Sequence, residues 1–144
     1  MPASKAETVA ARVAVVLAGA ATGALAVYSD RNDALTRTES PVILVELVDE
    51  DSRAFADGPV IDEDLLRFQV CVCVRSDSWR TVADAVRVAA HAALVADATL
   101  QALLGYSLRR DRAEWRSADT DVPFGYCNQI YQCKYLTRNQ GLDL

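Results

Sequence analysis

Four cysteines, one histidine, a dense run of acids and a row of arginines are the side chains of this sequence with chemistry to offer. Cys71 and Cys73 sit in the extended apolar run Phe68 to Arg75. Alternation places both thiols on one face of a strand and Val70, Val72 and Val74 on the other. Cys127 and Cys133 lie an even number of residues apart and share a face if their strand is unbroken. Four thiolates converging from two strands would suit zinc. Structural zinc sites, however, take their cysteine pairs from tight knuckles with a spacing of about two to four residues, which flat strands do not offer. The expectation is four reduced thiols packed as small apolar groups. His91 falls on one helical face with Arg80, Asp84 and Arg87, and has no Ser, Cys or carboxylate cluster beside it in sequence. It reads as a solvated position rather than a catalytic one.

Asp49, Glu50, Asp51, Asp57, Asp62, Glu63 and Asp64 form the densest acidic group. They lack the spacing and loop glycine of an EF-hand and read as a solvated acidic loop. No cofactor is expected, and a divalent cation would at most assist assembly weakly. Arg109, Arg110, Arg112 and Arg116 form the one basic cluster. On an unbroken strand Arg110, Arg112 and Arg116 share a face, with Arg109 and Trp115 on the other. Arginine and tryptophan carry much of the energy of protein interfaces, and charge also guards an edge strand against stray pairing; the row fits both uses. The sequence has no Gly-rich phosphate loop, no Gly-x-Ser-x-Gly elbow and no His-Glu-x-x-His. The chain reads as a protein that is not an enzyme.

These residues must be positioned by a chain of 144 residues, the size of one domain. With 51% hydrophobic and 24% charged residues it reads as a compact globule, and its net charge of −5 argues against nonspecific nucleic-acid binding. The apolar stretch Thr8 to Val27 is long enough to span a bilayer. Much of it is alanine and glycine, Arg12 lies inside it, and Val9, Val13, Val16 and Leu17 recur on one helical face. It reads as an amphipathic helix over 5–18, with no membrane role.

Gly23 to Tyr28 reads as a short strand and Ser29 to Ser40 as a polar loop. Pro41 opens the strand Val42–Val48. Asp49 to Asp64 is acidic, contains Gly58-Pro59 and reads as a long loop or hairpin tip, and Leu66 to Arg75 as the next strand. Asp77 or Ser78 caps a helix from Trp79 to Val95 with the stripe Val82, Val86, Ala89, Ala90 and Ala93. A short helix, Asp97 to Leu104, ends at Gly105. Tyr106–Arg116 and Tyr126–Thr137 close as strands around the loop Ser117–Gly125, and 138–144 reads as a frayed tail. This order predicts a single α+β domain over 1–144. Its mixed or antiparallel sheet has four to five strands, with two main helices packed against it.

The C-terminal third is the most distinctive part. Gly105-Tyr106-Ser-Leu-Arg109-Arg110-Asp111, then Trp115-Arg-Ser117-Ala118-Asp119, then Tyr131-Gln-Cys-Lys-Tyr135, resemble the tail terminator proteins of long-tailed phages, the lambda type in particular. The order of elements follows over residues 5–137: an N-terminal helix, a loop, the Pro41-led strand, an alternating strand, and a helix with Ala83-Asp84 near its start. The loops Arg31–Ser40 and Asp119–Tyr126 are longer than that pattern, so contacts carried on them do not transfer. The resemblance implies a hexameric ring that caps the tail tube, stops its elongation and forms a head-docking surface. It implies as partners further copies of the chain, the major tail tube protein and head-tail connector proteins, with DNA passing through without sequence-specific binding. The implied location is the head-proximal end of the virion tail, after assembly in the host bacterial cytoplasm. An acidic chain suits a DNA conduit, because a negative lumen repels phosphates. Rings close through heterologous contacts, so Arg110, Arg112 or Arg116, beside Trp115, is expected to meet Asp57, Asp62 or Asp64 of the next copy. Three other readings stay open. They are a head-to-tail connector or neck protein, a small thiol- or zinc-dependent enzyme, and a two-fold interaction module.

Overall fold

The computed structural model describes residues 3–29, 40–55, 61–118 and 123–138. Three helices, α1 (Lys5–Gly19), α2 (Trp79–Ala96) and α3 (Ala98–Leu103), accompany five strands: β1 (Ala26–Ser29), β2 (Val42–Ala54), β3 (Ile61–Arg75), β4 (Arg109–Ala118) and β5 (Phe124–Arg138). The strands form one mixed sheet in the order β1-β2-β3-β5-β4. β1 runs parallel to β2 and the other neighbours are antiparallel. The α+β class, the strand number and the two main helices match the sequence reading. Among the described residues no helix is long and apolar enough to cross a membrane.

The helices begin and end for local reasons. Ser4 accepts a hydrogen bond from the Glu7 amide at 3.2 Å, and Ser4 and Glu7 have the capping-box spacing. α1 then buries Val9, Ala10, Val13 and Leu17 along one stripe. Asp97 closes α2 and opens α3. Its carboxylate accepts from the Leu100 amide at 2.8 Å and from the Arg12 guanidinium of α1 at 2.7 and 2.9 Å, so one side chain joins three helices. The turn after α3 passes through Gly105, whose φ of +54° is left-handed, as the helix stop requires.

The helices cover one face of the sheet. Leu66, Phe68, Val70 and Val72 of β3 meet Cys127, Tyr131 and Cys133 of β5 and Ile43 and Val45 of β2 in this core. Phe68 and Tyr131 stack at its centre with ring centroids 5.3 Å apart. Burying a side chain of this size stabilises the fold by about 1.5–3 kcal/mol. In α2 the buried positions are Ala83, Val86, Ala90 and Leu94, with Val82 and Ala93 at the margin. The helix is rotated from the expected stripe toward Leu94, and this carries Arg87 and His91 inward against the sheet.

The long loop or hairpin tip expected over Asp49 to Asp64 is shorter than that, because both of its ends are paired strand. Asp49 to Ala54 continues β2 and Ile61 to Asp64 opens β3, with pairing that runs from Asp49↔Arg67 to Ala54↔Asp62. Every residue from Val48 to Ala54 is exposed. No apolar alternation therefore marks this part of the strand. Cross-strand ion pairs hold it instead: Arg67 lies 3.1 Å from Asp49 and 3.6 Å from Asp51, and Arg53 pairs with Glu63. At the other end, Arg138 belongs to β5 opposite Ile61 rather than to a frayed tail. Asp57 with Gly58-Pro59, most of the Ser29–Ser40 loop, residues 119–122 and residues 139–144 lie outside the described residues.

Candidate assembly interface

β4 ends the sheet, and among the described residues its outer edge is unpaired. From Arg109 to Ser117 every residue but the half-buried Glu114 is exposed. A bulge between Arg110 and Arg112 changes the faces expected of the arginine row. Arg110 stands opposite Tyr131, on the helix side, whereas Arg112 stands opposite Ile130 and Arg116 opposite Tyr126, on the other side. The extra residue, Asp111, shifts the alternation by one position. Arg110 therefore shares its face with Trp115, not with Arg112 and Arg116. The Asp111 carboxylate reaches Arg67 at 3.5 Å, and Arg112 pairs with Glu114 at 3.2 Å. Among the described residues Arg109, Arg110 and Arg116 make no ion pair.

The strand is braced from the helix side. Trp115 lies 6.3 Å from the Trp79 ring, and the Arg87 guanidinium stands 5.2 Å over it. Arg87 also donates to Asp84 at 2.8 Å and to Gln129 at 3.2 Å, while Gln129 donates to the Arg112 carbonyl at 3.0 Å. Trp79 rests on Gly125: a Cβ there would sit 2.2 Å from the indole, so no larger residue fits without displacing it. The sequence reading missed this brace, because its members come from three elements far apart in the chain.

His91 is half-buried rather than solvated. Its Nδ1 lies 2.9 Å from the Tyr131 hydroxyl and its ring stacks on Tyr131 at 5.7 Å. Burial, and then the nearby Arg110 and Arg87 charges, hold its pKa below the ordinary imidazole value. Arg87, His91, Arg109, Arg110 and Gln129 line an open groove of about 540 Å³ between α2 and β4.

The acidic partners expected for the row fare differently. Asp64 is buried and accepts from the hydroxyls of Ser52 at 2.5 Å and Thr137 at 2.6 Å, so it is turned inward and is no surface contact. Asp62 is half-buried near the β2–β3 hairpin, and Asp57 lies outside the described residues. The exposed acids stand instead on β2, where Asp49, Glu50 and Asp51 follow one another.

The four cysteines do not converge. Cys127 and Cys133 stand opposite Val72 and Leu66 in the helix-side core, whereas Cys71 and Cys73 project from the other face, their sulfurs 3.8 Å apart. The sheet itself separates the two pairs. All four are free and buried. Burial pushes Cys127 up to about 11 and Cys133 up to about 12, and the hydrogen bond to Cys73 together with burial raises Cys71. Among the described residues no group of three or more metal-ligating side chains comes together.

No known protein family matches the chain, and no curated protein is similar to it in sequence.

Proposed function

We propose that this chain is a tail terminator of a long-tailed phage or of a phage-derived particle. Six copies close into a ring at the head-proximal end of the tail tube, stop its elongation and form the surface on which the head docks. One observation carries the reading. Of the residues that bear the resemblance, Arg109 to Ala118 form an exposed edge strand and Tyr131 to Tyr135 lie in the strand beside it, with the Trp79–Trp115–Arg87 contacts packed behind the edge. A strand that is exposed, rich in arginine and packed from behind is suited to meeting another protein surface.

The net charge of −5 supports the same reading, since a ring around passing DNA must not bind its phosphates. The partners are further copies of the chain, the major tail tube protein and the connector proteins of the head.

Adding the purified protein to polymerising tail tube protein tests the proposal. The expected result is shorter tubes, each with a ring at one end under negative stain. Tubes of unchanged length with bare ends contradict it. A ring that binds the head connector while leaving tube length unchanged assigns the chain to the neck instead.

A further inference from the structure

The sheet has a second free edge. β1 pairs with β2 only from Val42 to Val45, so the nine residues Glu46 to Ala54 have no outer neighbour among the described residues. This edge carries four acids, Glu46, Asp49, Glu50 and Asp51, against one base, Arg53, a net −3. The ten residues of β4 carry four bases, Arg109, Arg110, Arg112 and Arg116, against Asp111 and Glu114, a net +2. The same sheet thus offers, on opposite sides, two free edges of nearly equal length and opposite charge.

We infer that β4 of one copy adds to the Glu46–Ala54 half of β2 of the next, joining the sheets of neighbouring copies through main-chain hydrogen bonds. The partner is a second copy of this chain; the inference deepens the ring reading above and rests on it. Three arguments converge. First, β4 runs antiparallel to β2 through three successive antiparallel pairings, so copies related by rotation present the two edges in antiparallel sense, the more stable mode. Second, charge rejects the alternatives. A two-fold β4–β4 contact would bring together two strands of net +2, and a β2–β2 contact two of net −3, while the head-to-tail contact brings together strands of opposite net charge. Charge thus protects each edge from itself and not from the other.

The third argument is geometric. Through Gln132 and Arg67, Arg109 at the start of β4 is level with Asp49 of the same copy. β4 is therefore displaced from the free half of β2 by about five residues, about 17 Å along the strands. Over four strands about 4.8 Å apart this stagger is a tilt of about 40°, within the range that closed sheets adopt.

Complementary charge reversal tests the pairing without assuming a register. One variant carries Arg110→Glu and Arg112→Glu, making both of its edges acidic; the other carries Asp49→Lys and Asp51→Lys, making both basic. Circular dichroism and thermal melting establish that each folds. Native mass spectrometry should then find each variant monomeric alone, and an equimolar mixture should restore assemblies of even copy number and 1:1 composition. Folded variants that each assemble as the wild type does overturn the edge pairing and leave the ring reading standing. Folded variants that stay apart when mixed also overturn the pairing. A wild-type chain that forms only a closed two-fold dimer overturns both.

Discussion

His91 is the only histidine in the chain, and it lies beside the arginine row, so one ring reports on the proposed interface. Its pKa is depressed by burial and by Arg110 and Arg87. The folded state therefore binds this proton less readily than the unfolded chain does. The resulting stability is complete above the unfolded value of about 6.5 and is lost as pH falls through the folded value. Nuclear magnetic resonance should find the His91 midpoint below 6.5, and Arg110→Gln should move it upward; a midpoint unmoved by that substitution contradicts the placement of Arg110 on the helix side. Gly125 supplies a second test at this scale. Gly125→Ala drives a methyl into the Trp79 ring, and overpacking of this kind costs about 1–3 kcal/mol. The variant should melt earlier in calorimetry and show altered tryptophan fluorescence, and native fluorescence with an unchanged melt contradicts the brace.

Among the elements, the three helices meet at Asp97, which the Arg12 guanidinium and the Leu100 amide hold below the ordinary carboxylate range. A depressed carboxyl lends stability above its unfolded value, about 3.9, and loses it as pH falls through the folded value. Asp97→Asn should lower the melting temperature at neutral pH and flatten its dependence on acid below about pH 4; identical acid profiles for the two proteins contradict this role. Elements with a covered face were legible in the sequence. α1 and α2 show their periodicity because burial imposes it, the first half of β2 shows as a near-continuous apolar run, and Gly105 shows the end of α3 because its backbone is left-handed. Elements facing water were not. Asp49 to Ala54 has no covered face and read as part of a long loop or hairpin tip, and the bulge at Asp111 has no signature that would have placed Arg110 beside Trp115. Nor could strand spacing show that the two cysteine pairs lie on opposite faces. That depends on Val72↔Cys127, a register set between strands far apart in sequence.

At the scale of the whole molecule, helices cover one sheet face while two oppositely charged strand edges lie free on opposite sides of it, an arrangement that suits the head-to-tail joining proposed above. The arginine row was visible in the sequence, but the partner proposed for it was not. Asp64 is consumed by Ser52 and Thr137, and the acids left facing solvent stand on the half of β2 that β1 does not cover. A single Arg112→Glu, in a side chain already beside Glu114, should weaken assembly at least tenfold while leaving the melting temperature within a few degrees of wild type, since an exposed edge charge adds about 1 kcal/mol or less to folding. Analytical ultracentrifugation measures the first and calorimetry the second. The most direct test of the account is native mass spectrometry of the concentrated wild-type protein, with negative-stain imaging of the same sample. The account predicts a closed six-membered ring with a central hole. A stable two-fold dimer that persists at every concentration contradicts it.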